Sequence, residues 1–438
     1  MDNRNNTYAE QLSSLIQVET ISCDNQPDKT KFYEFQKLLR QTFPSLFQAC
    51  QVEDFHGSML LRWPGTGQEM PIMLMNHHDV VEAPGQWKYP PFSGVLADGK
   101  IWGRGTMDTK SGLWAMLRAA DELAESGYTP KRDIYFVSTC NEETNGSGAD
   151  EISQTLVARN IHFYFVLDEG GMILHEPIAG AKATYALIGL GEKGCVDLKF
   201  IARSAGGHSS TPGKNTPLVR LGQFMAAVEK SNIFQTDISP VTCQMYKRIA
   251  GSMKQPVRFV LGHPKLFRPV LRKIVPSISP SAGAMLKTTI AFTMANGSDG
   301  YNVLPQEAWV IGNMRFSHHQ GEKESINAIK KLAEKFHIET QVLKPGFPSS
   351  LSDYNTEAFR LMERGIYQIF PGVIPTPYVM NGASDCRYMS RVSENCFRFA
   401  PFLISEKQMD SVHGLNENID ISSLASAVDF YKYIITEA

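Results

Sequence analysis

Apolar side chains recur at helical spacing over residues 8–17 and 31–42, and predict two helices ahead of the first strands. "SMLLRWPG" and "PIMLMNHHD" are short apolar runs that read as strands. In "VLADGKIWGRG", Asp98-Gly99 is a hairpin turn signal. Helical periodicity returns over 111–126, "RDIYFVSTC" is a buried strand, 149–159 is helical, and "IHFYFVLDEGG" is another strand. Strands and helices alternating in this rhythm predict an α/β layer with a mostly parallel sheet flanked by helices. Chemistry in such sheets collects beyond the carboxyl ends of the strands, where the polar clusters of this chain fall.

The texture changes near Glu192. "GCVDLKFIAR" is a strand, 217–230 a helix, "KTTIAFTMA" and "EAWVIGNMRF" strands, 322–336 a helix and "IETQVLKPG" a last strand. This βαββαβ order is that of a small ferredoxin-like sandwich inserted into a larger unit. Gly189, Gly191 and Gly194 punctuate one edge; Pro345, Gly346 and Pro348 punctuate the other. The expected division is therefore a unit of residues 1–191 and 347–438, with 192–346 as the insert. The basic, Pro-broken stretch 263–282, within "HPKLFRPVLRKIVPSISPSAG", fits no sandwich strand and reads as a further insertion without an assigned role.

With 438 residues the chain is longer than one core usually supports, which agrees with two units. A net charge of -2 gives no overall excess of Lys and Arg for nucleic acid or an anionic membrane, so neither is expected as a partner. The polar start lacks a signal-peptide pattern and no apolar run approaches a membrane span, so a cytoplasmic location is expected. The seven cysteines are odd in number and never form C-x-x-C, which argues against a disulfide framework or a thiolate metal site. Any metal must be held by His, Asp and Glu.

Strand alternation puts His77 and Asp79 on one face and His78 on the other. That suits an imidazole ligand with a carboxylate partner. In "GRGTMDTKSG", Asp108 occupies a Gly-rich turn before a helix, where it can bridge cations or simply cap the helix. Two apolar strands end on paired acids, Glu142-Glu143 in "STCNEETNGSG" and Asp168-Glu169 in "FVLDEGG". Burying unpaired carboxylates is costly, so a cation is the economical explanation, with surface loops as the alternative. His413, in "SVHGLNENI", would carry no message alone.

Taken in order, H-x-D, G-R-G-x-x-D-x-K-x-G, E-E, D-E-G-G, G-G-H-S-S-x-P and a late H-G-x-N-E span nearly the whole chain. This series resembles the dinuclear zinc metallopeptidase family of aminoacylase, succinyl-diaminopimelate desuccinylase and glutamate carboxypeptidase. It is most similar to the carboxypeptidase S and N-acyl amino acid hydrolase branch. The resemblance implies two divalent ions, zinc first with cobalt or manganese as alternatives. It places His77 and Glu169 on one ion, Glu143 and His413 on the other, and Asp108 between them. Asp79 becomes the carboxylate that orients His77, and Glu142 the general base. It also implies a cis peptide at Asp108-Thr109.

At the substrate end, the resemblance makes His208 of "GGHSSTP" a donor to the oxyanion, often supplied across a dimer interface of the inserted lid. Arg315, Asn302 and the turn of Gly382, Ala383 and Ser384 become contacts for a substrate with a free carboxylate. Asn141, Asn313, Ala383 and Ser384 depart from residues common in the family, which touches the acyl group more than the reaction. The expected activity is hydrolysis of an amide bond beside a free α-carboxylate, in a dipeptide, a peptide C-terminus or an N-acyl amino acid. The rivals are a deacylase specific for one biosynthetic intermediate, and a catalytically silent peptide-binding protein. The latter would have a damaged ligand set. A nucleotide-binding α/β protein is disfavoured because no G-x-G-x-x-G or P-loop follows the first strands.

Overall fold

The computed structural model describes residues 4–23, 28–144, 146–347 and 349–438; Pro348 of the expected hinge lies outside them. At its centre the strand Ile72–His77 runs parallel to Ile134–Thr139 on one side and to Phe165–Asp168 on the other. All six residues of Ile72–His77 are buried, and so are all six of Ile134–Thr139. Strands covered on both faces carry continuous apolar runs rather than alternation, which is the pattern these segments show. Parallel pairing also has a chemical consequence. His77 lies opposite Thr139, so the segments following these strands leave the sheet at one edge.

Around that parallel centre the sheet is mixed and ten-stranded. Gln51–Phe55 and Ser58–Trp63 form an antiparallel hairpin at one end, turning through His56 and Gly57 at φ 54° and 99°. The path ends at the other side on Leu403–Ile404, and Val373–Met380 branches from it by pairing in parallel with Thr184–Glu192. One face is covered by Lys110–Glu125 and Leu424–Glu437, whose Trp114, Leu117, Phe430 and Ile434 join Leu12, Phe35 and Leu74 in the largest core. The opposite face is covered by Ser147–Ala158 and Cys386–Met389, through Ile152, Leu156 and Met389. The expected Asp98-Gly99 turn joins Val95–Ala97 to Lys100–Trp102, both turn residues having positive φ.

The second sheet has the order Thr289–Asn296, Glu307–Phe316, Gly194–Arg203, Glu339–Lys344, all antiparallel. Its element order matches the βαββαβ expectation. Burial alternates along Glu307–Phe316 because only one face is covered, by Pro217–Lys230 and Gly321–Glu334. Phe200, Phe224, Val310, Met314 and Ile329 fill the space between sheet and helices.

The stretch 263–282, to which sequence periodicity assigns no element, belongs to a run of helices: Pro240–Ala250, Val257–Gly262, Arg268–Ile278 and Pro280–Ala284. Three of the four have Pro in their first turn, where its missing N–H costs nothing, and Pro276 lies inside Arg268–Ile278. Ser239 and Ser279 cap two of them by accepting from Thr242 and Ala282 N–H groups. These helices share their own core, including Met245, Ile249, Leu261, Leu271 and Leu286. Among the described residues no helix is long and apolar enough to cross a membrane.

Candidate active site

The segments leaving the central strands, the Asp108 turn and the His413 turn meet at a cleft of about 500 Å³. His77 Nε2 lies 2.9 Å from Asp108 Oδ1, and His413 Nε2 lies 3.1 Å from both Asp108 Oδ2 and Glu143 Oε2. Asp108 therefore stands between the two imidazoles. Ligand atoms of His77, Asp108 and Glu143 all fall within 4.8 Å of one another. Glu169 and Glu142 line the same cleft. The peptide Asp108-Thr109 is cis.

The surrounding hydrogen bonds fix this arrangement. The two carboxylate oxygens of Asp79 accept the N–H groups of Glu142 and Glu143, each at 3.1 Å, and one also accepts Ser22 Oγ–H at 2.6 Å. His77 Nδ1 is 3.0 Å from the Asp79 carbonyl and 3.4 Å from its carboxylate. One aspartate thus orients both the imidazole and the paired glutamates. His78 points the other way: its ring stacks on Phe35 at 5.0 Å and its Nδ1 meets Ser138 Oγ at 2.7 Å.

Charge in the cluster is unbalanced. Burial raises Glu142 and Glu169 well above the usual carboxylate range, and neighbouring acids push them further: Asp385 and Glu143 act on Glu142, Asp108 and Asp168 on Glu169. Burial also raises Glu143. Burial alone would lower His77, but hydrogen bonds to Asp108 and Asp79 hold it well above its ordinary value. The hydrogen bonds to Asp108 and Glu143 push His413 up to about 10. Buried acids that cannot all ionise, with imidazoles held by them, form a donor set that bound cations would relieve. Imidazole and carboxylate donors suit zinc, cobalt and manganese. The residues present therefore fit divalent metal.

Two anchors were not singled out from the sequence. Glu417 lies in the quoted H-G-x-N-E stretch, but nothing in the pattern reveals that it is fully buried. It accepts the N–H groups of Gly105, Met107 and Asp108 and pairs with Arg104. Lys110 anchors the same turn from the other side, donating to the carbonyls of Val18 and Leu15. The second anchor is beneath the 382–385 turn. Glu192 accepts both the N–H and the hydroxyl of Ser384 and pairs with Arg398 at 2.9 Å.

The expected substrate residues divide. Arg315, on the second sheet, lines the cleft together with Gly382 and Ala383. Its Nε donates to Asn313, whose amide in turn donates to Asp197. Ser384 is fully buried, turned toward Glu192. His208 and Asn302 are exposed, next to each other on a small two-stranded turn where Ser209 N–H donates to the Asn302 carbonyl. Neither is among the cleft-lining residues described. Lys193, Arg387 and Tyr388 line the cleft and escaped sequence reasoning. Arg387, two positions after the "GASD" turn, comes within 3.8 Å of Glu142 and 3.9 Å of Glu192.

A sequence profile of Peptidase family M20/M25/M40 matches residues 73–437. The chain is 31% identical over 440 residues to the N-fatty-acyl-amino acid synthase/hydrolase PM20D1 of Homo sapiens, covering 98% of this chain and 87% of that protein. It is 28% identical over 492 residues to carboxypeptidase S of Saccharomyces cerevisiae, covering 98% and 84%. The M20 family metallo-carboxypeptidase Sso-CP2 of Sulfolobus solfataricus superposes with a TM-score of 0.71 over 99% of both chains at 16% identity, which shows a common fold. The acid-lined cleft thus stands in a hydrolase, and the chain belongs to Peptidase family M20/M25/M40.

Proposed function

We propose that the chain hydrolyses the amide bond of N-acyl amino acids, or of short peptides, beside a free α-carboxylate. The observation that carries this reading is the contact series His77–Asp108–His413–Glu143 with Glu142 alongside it in one cleft. In this reading His77 and Glu169 hold one divalent ion, Glu143 and His413 hold the other, and Asp108 serves both. Zinc is the proposed metal. When bound, such a pair polarises the scissile carbonyl and acidifies a water.

The chain's own groups do the rest. Glu142 makes none of the short contacts within the His77–Asp108–His413–Glu143 series, so its carboxylate is free to take a proton from water and return it to the leaving nitrogen. Asp79 holds Glu142 and His77 in register through the bonds described above. Arg315 supplies the planar fork that binds a carboxylate through two hydrogen bonds, and the Gly382-Ala383 turn supplies backbone at the same wall. Residues 192–346 act as a lid that brings Arg315 to the site. His208, exposed on that lid and away from its own cleft, fits a donor offered to a second copy's site, so we propose a homodimer through the lid. The buried thiols of Cys140, Cys243, Cys386 and Cys396, none in a disulfide, support a reducing, cytoplasmic setting.

The test is incubation of metal-loaded protein with N-acetyl amino acids, long-chain N-acyl amino acids and dipeptides, with products read by mass spectrometry. Release of free amino acid is expected, strongest from an N-acyl amino acid. No release from any member, with two metals bound, would overturn the proposal in favour of a silent binding protein. Release from a single biosynthetic conjugate alone would replace it with the specific deacylase.

A further inference from the structure

Residues 238–298 contain nine Lys and Arg and no Asp or Glu, in a chain whose net charge is -2. The helix Arg268–Ile278 lies within this segment and carries one broad apolar face made of two adjacent rows. Phe267, Leu271 and Val275 pack inward on the core shared by the local helices. Leu266, Val270, Ile274 and Ile278, spaced four apart, form a second row facing solvent, 70%, 46%, 47% and 72% exposed. The neighbouring helix Val257–Gly262 adds exposed Val257 and Phe259, and the Phe259 ring touches that of Phe267 at 5.6 Å.

Exposed Arg258, Lys265, Arg272 and Lys273 belong to the same two helices and the turn between them. Among the described residues Arg258, Lys265 and Lys273 have no ion pair, while Arg268 and, at 4.0 Å, Arg272 share Asp237. A continuous apolar row this exposed marks a surface that something covers. A second copy of the same face is disfavoured, because it would bring two uncompensated cationic surfaces together. An apolar row flanked by Lys and Arg is the pattern of a helix lying in a lipid interface, where headgroup charge meets the cations and acyl chains take the apolar side chains. We propose that these two helices dock on an anionic phospholipid bilayer.

The helix that follows the docking pair, Pro280–Ala284, connects it to the cleft. Asn381, beside the Gly382 turn, donates to the Ser281 carbonyl at 3.1 Å, and Lys193 donates to the Ala284 carbonyl at 3.0 Å. Docking therefore sets the cleft beside the lipid surface, where amphiphiles with acyl chains concentrate. That consequence rests on the N-acyl amino acid reading; the docking itself does not.

The test is co-sedimentation of the full chain with vesicles of phosphatidylcholine alone and of phosphatidylcholine mixed with phosphatidylserine. The protein is expected to pellet with the serine-lipid vesicles at about 0.15 M salt and to be released at about 1 M, where screening is nearly complete. Replacing Arg272 and Lys273 with Gln should weaken binding about fivefold for each charge removed. The pair Val270→Asp and Ile274→Asp should weaken it by at least the order of tenfold. Both variants should hydrolyse a water-soluble N-acetyl amino acid like the wild type, which reads out an intact fold and site. No pelleting with the serine-lipid vesicles, or pelleting by the variants equal to wild type, overturns docking. A dimer in sedimentation velocity that becomes a monomer in the Asp variant also overturns it, assigning the face to a second copy. Vesicle binding is read without substrate, so failure of hydrolysis leaves this result standing on its own.

Discussion

Glu417 and Arg104 form an ion pair closed off from solvent, Oε2 to Nη1 2.6 Å, with side chains 1% and 2% exposed. Arg104 also donates to the carbonyls of Glu82 and Gly414 and lies over the Trp87 ring. Since Gly414 follows His413 and Glu417 holds the N–H of Asp108, this one pair ties the turns that carry two proposed ligands. Glu417→Ala would leave a buried guanidinium without its partner and three N–H groups without an acceptor. Unfolding free energy measured in urea should fall by about 3–5 kcal/mol. Metal content should fall with it, because Asp108 loses its anchor. A loss of stability below about 1 kcal/mol would show that water replaces the carboxylate easily.

Adjacent histidines should behave in opposite ways. His77→Ala removes a donor at the Asp108 cluster, so metal content by mass spectrometry and turnover should drop together. His78→Ala should keep both, but lose stability of about 1–3 kcal/mol through the lost Phe35 stack and Ser138 hydrogen bond. If loss of His78 stripped the metal instead, the alternation argument for this strand would be out by one residue.

That alternation was readable from sequence because a strand's period is geometric and needs no partner. The paired acids at strand ends were readable for a related reason: parallel pairing delivers strand ends to one edge whatever the loops do. Glu417 was not, since its role depends on three backbone N–H groups more than 300 positions away in the chain. Ser384 shows the converse limit. Its place in the turn is local, but its hydroxyl turns to Glu192, a residue of another strand, instead of the cleft. The 263–282 stretch failed for a third reason. Its prolines read as breaks although Pro269 and Pro280 start helices, and a whole-chain charge of -2 conceals a segment of one sign.

Arg315 offers a test of carboxylate recognition that separates binding from chemistry. Arg315→Met should raise KM for an N-acyl amino acid by the order of tenfold to a hundredfold, the scale of a lost charge-assisted pair of hydrogen bonds. With the corresponding amino acid amide, which lacks the carboxylate, wild type and variant should have similar kcat/KM. An equal loss on both substrates would move Arg315 from substrate grip to lid structure.

His318 should leave a signature in the pH dependence of stability. Burial lowers its pKa below the ordinary value despite the bond to the Ser349 carbonyl, and Arg398 lowers it further. The unfolded chain therefore takes up this proton first. The contribution to stability is full above about pH 6.5 and is lost as pH falls from there toward the lowered folded value, by at most about 1.4 kcal/mol per pH unit. Urea midpoints of His318→Gln, compared with wild type between neutral and mildly acid pH, should lose that part of the slope. Parallel curves would show that His318 titrates alike in both states.

The decisive substitution for the chemistry is Glu142→Gln. The side chain keeps its size, and the bond to the Asp79 carboxylate is made by the backbone N–H of residue 142, so the paired-glutamate turn should stay in place. Glu143, one residue on, keeps its contact with His413, so both metals should remain bound. What is lost is a group able to accept a proton in the cleft, and turnover should fall about 10²- to 10⁴-fold with KM little changed. Metal content measured on the same sample separates this from a broken site: low metal would make Glu142 a ligand, and full metal with wild-type turnover would leave the reaction without the base assigned to it.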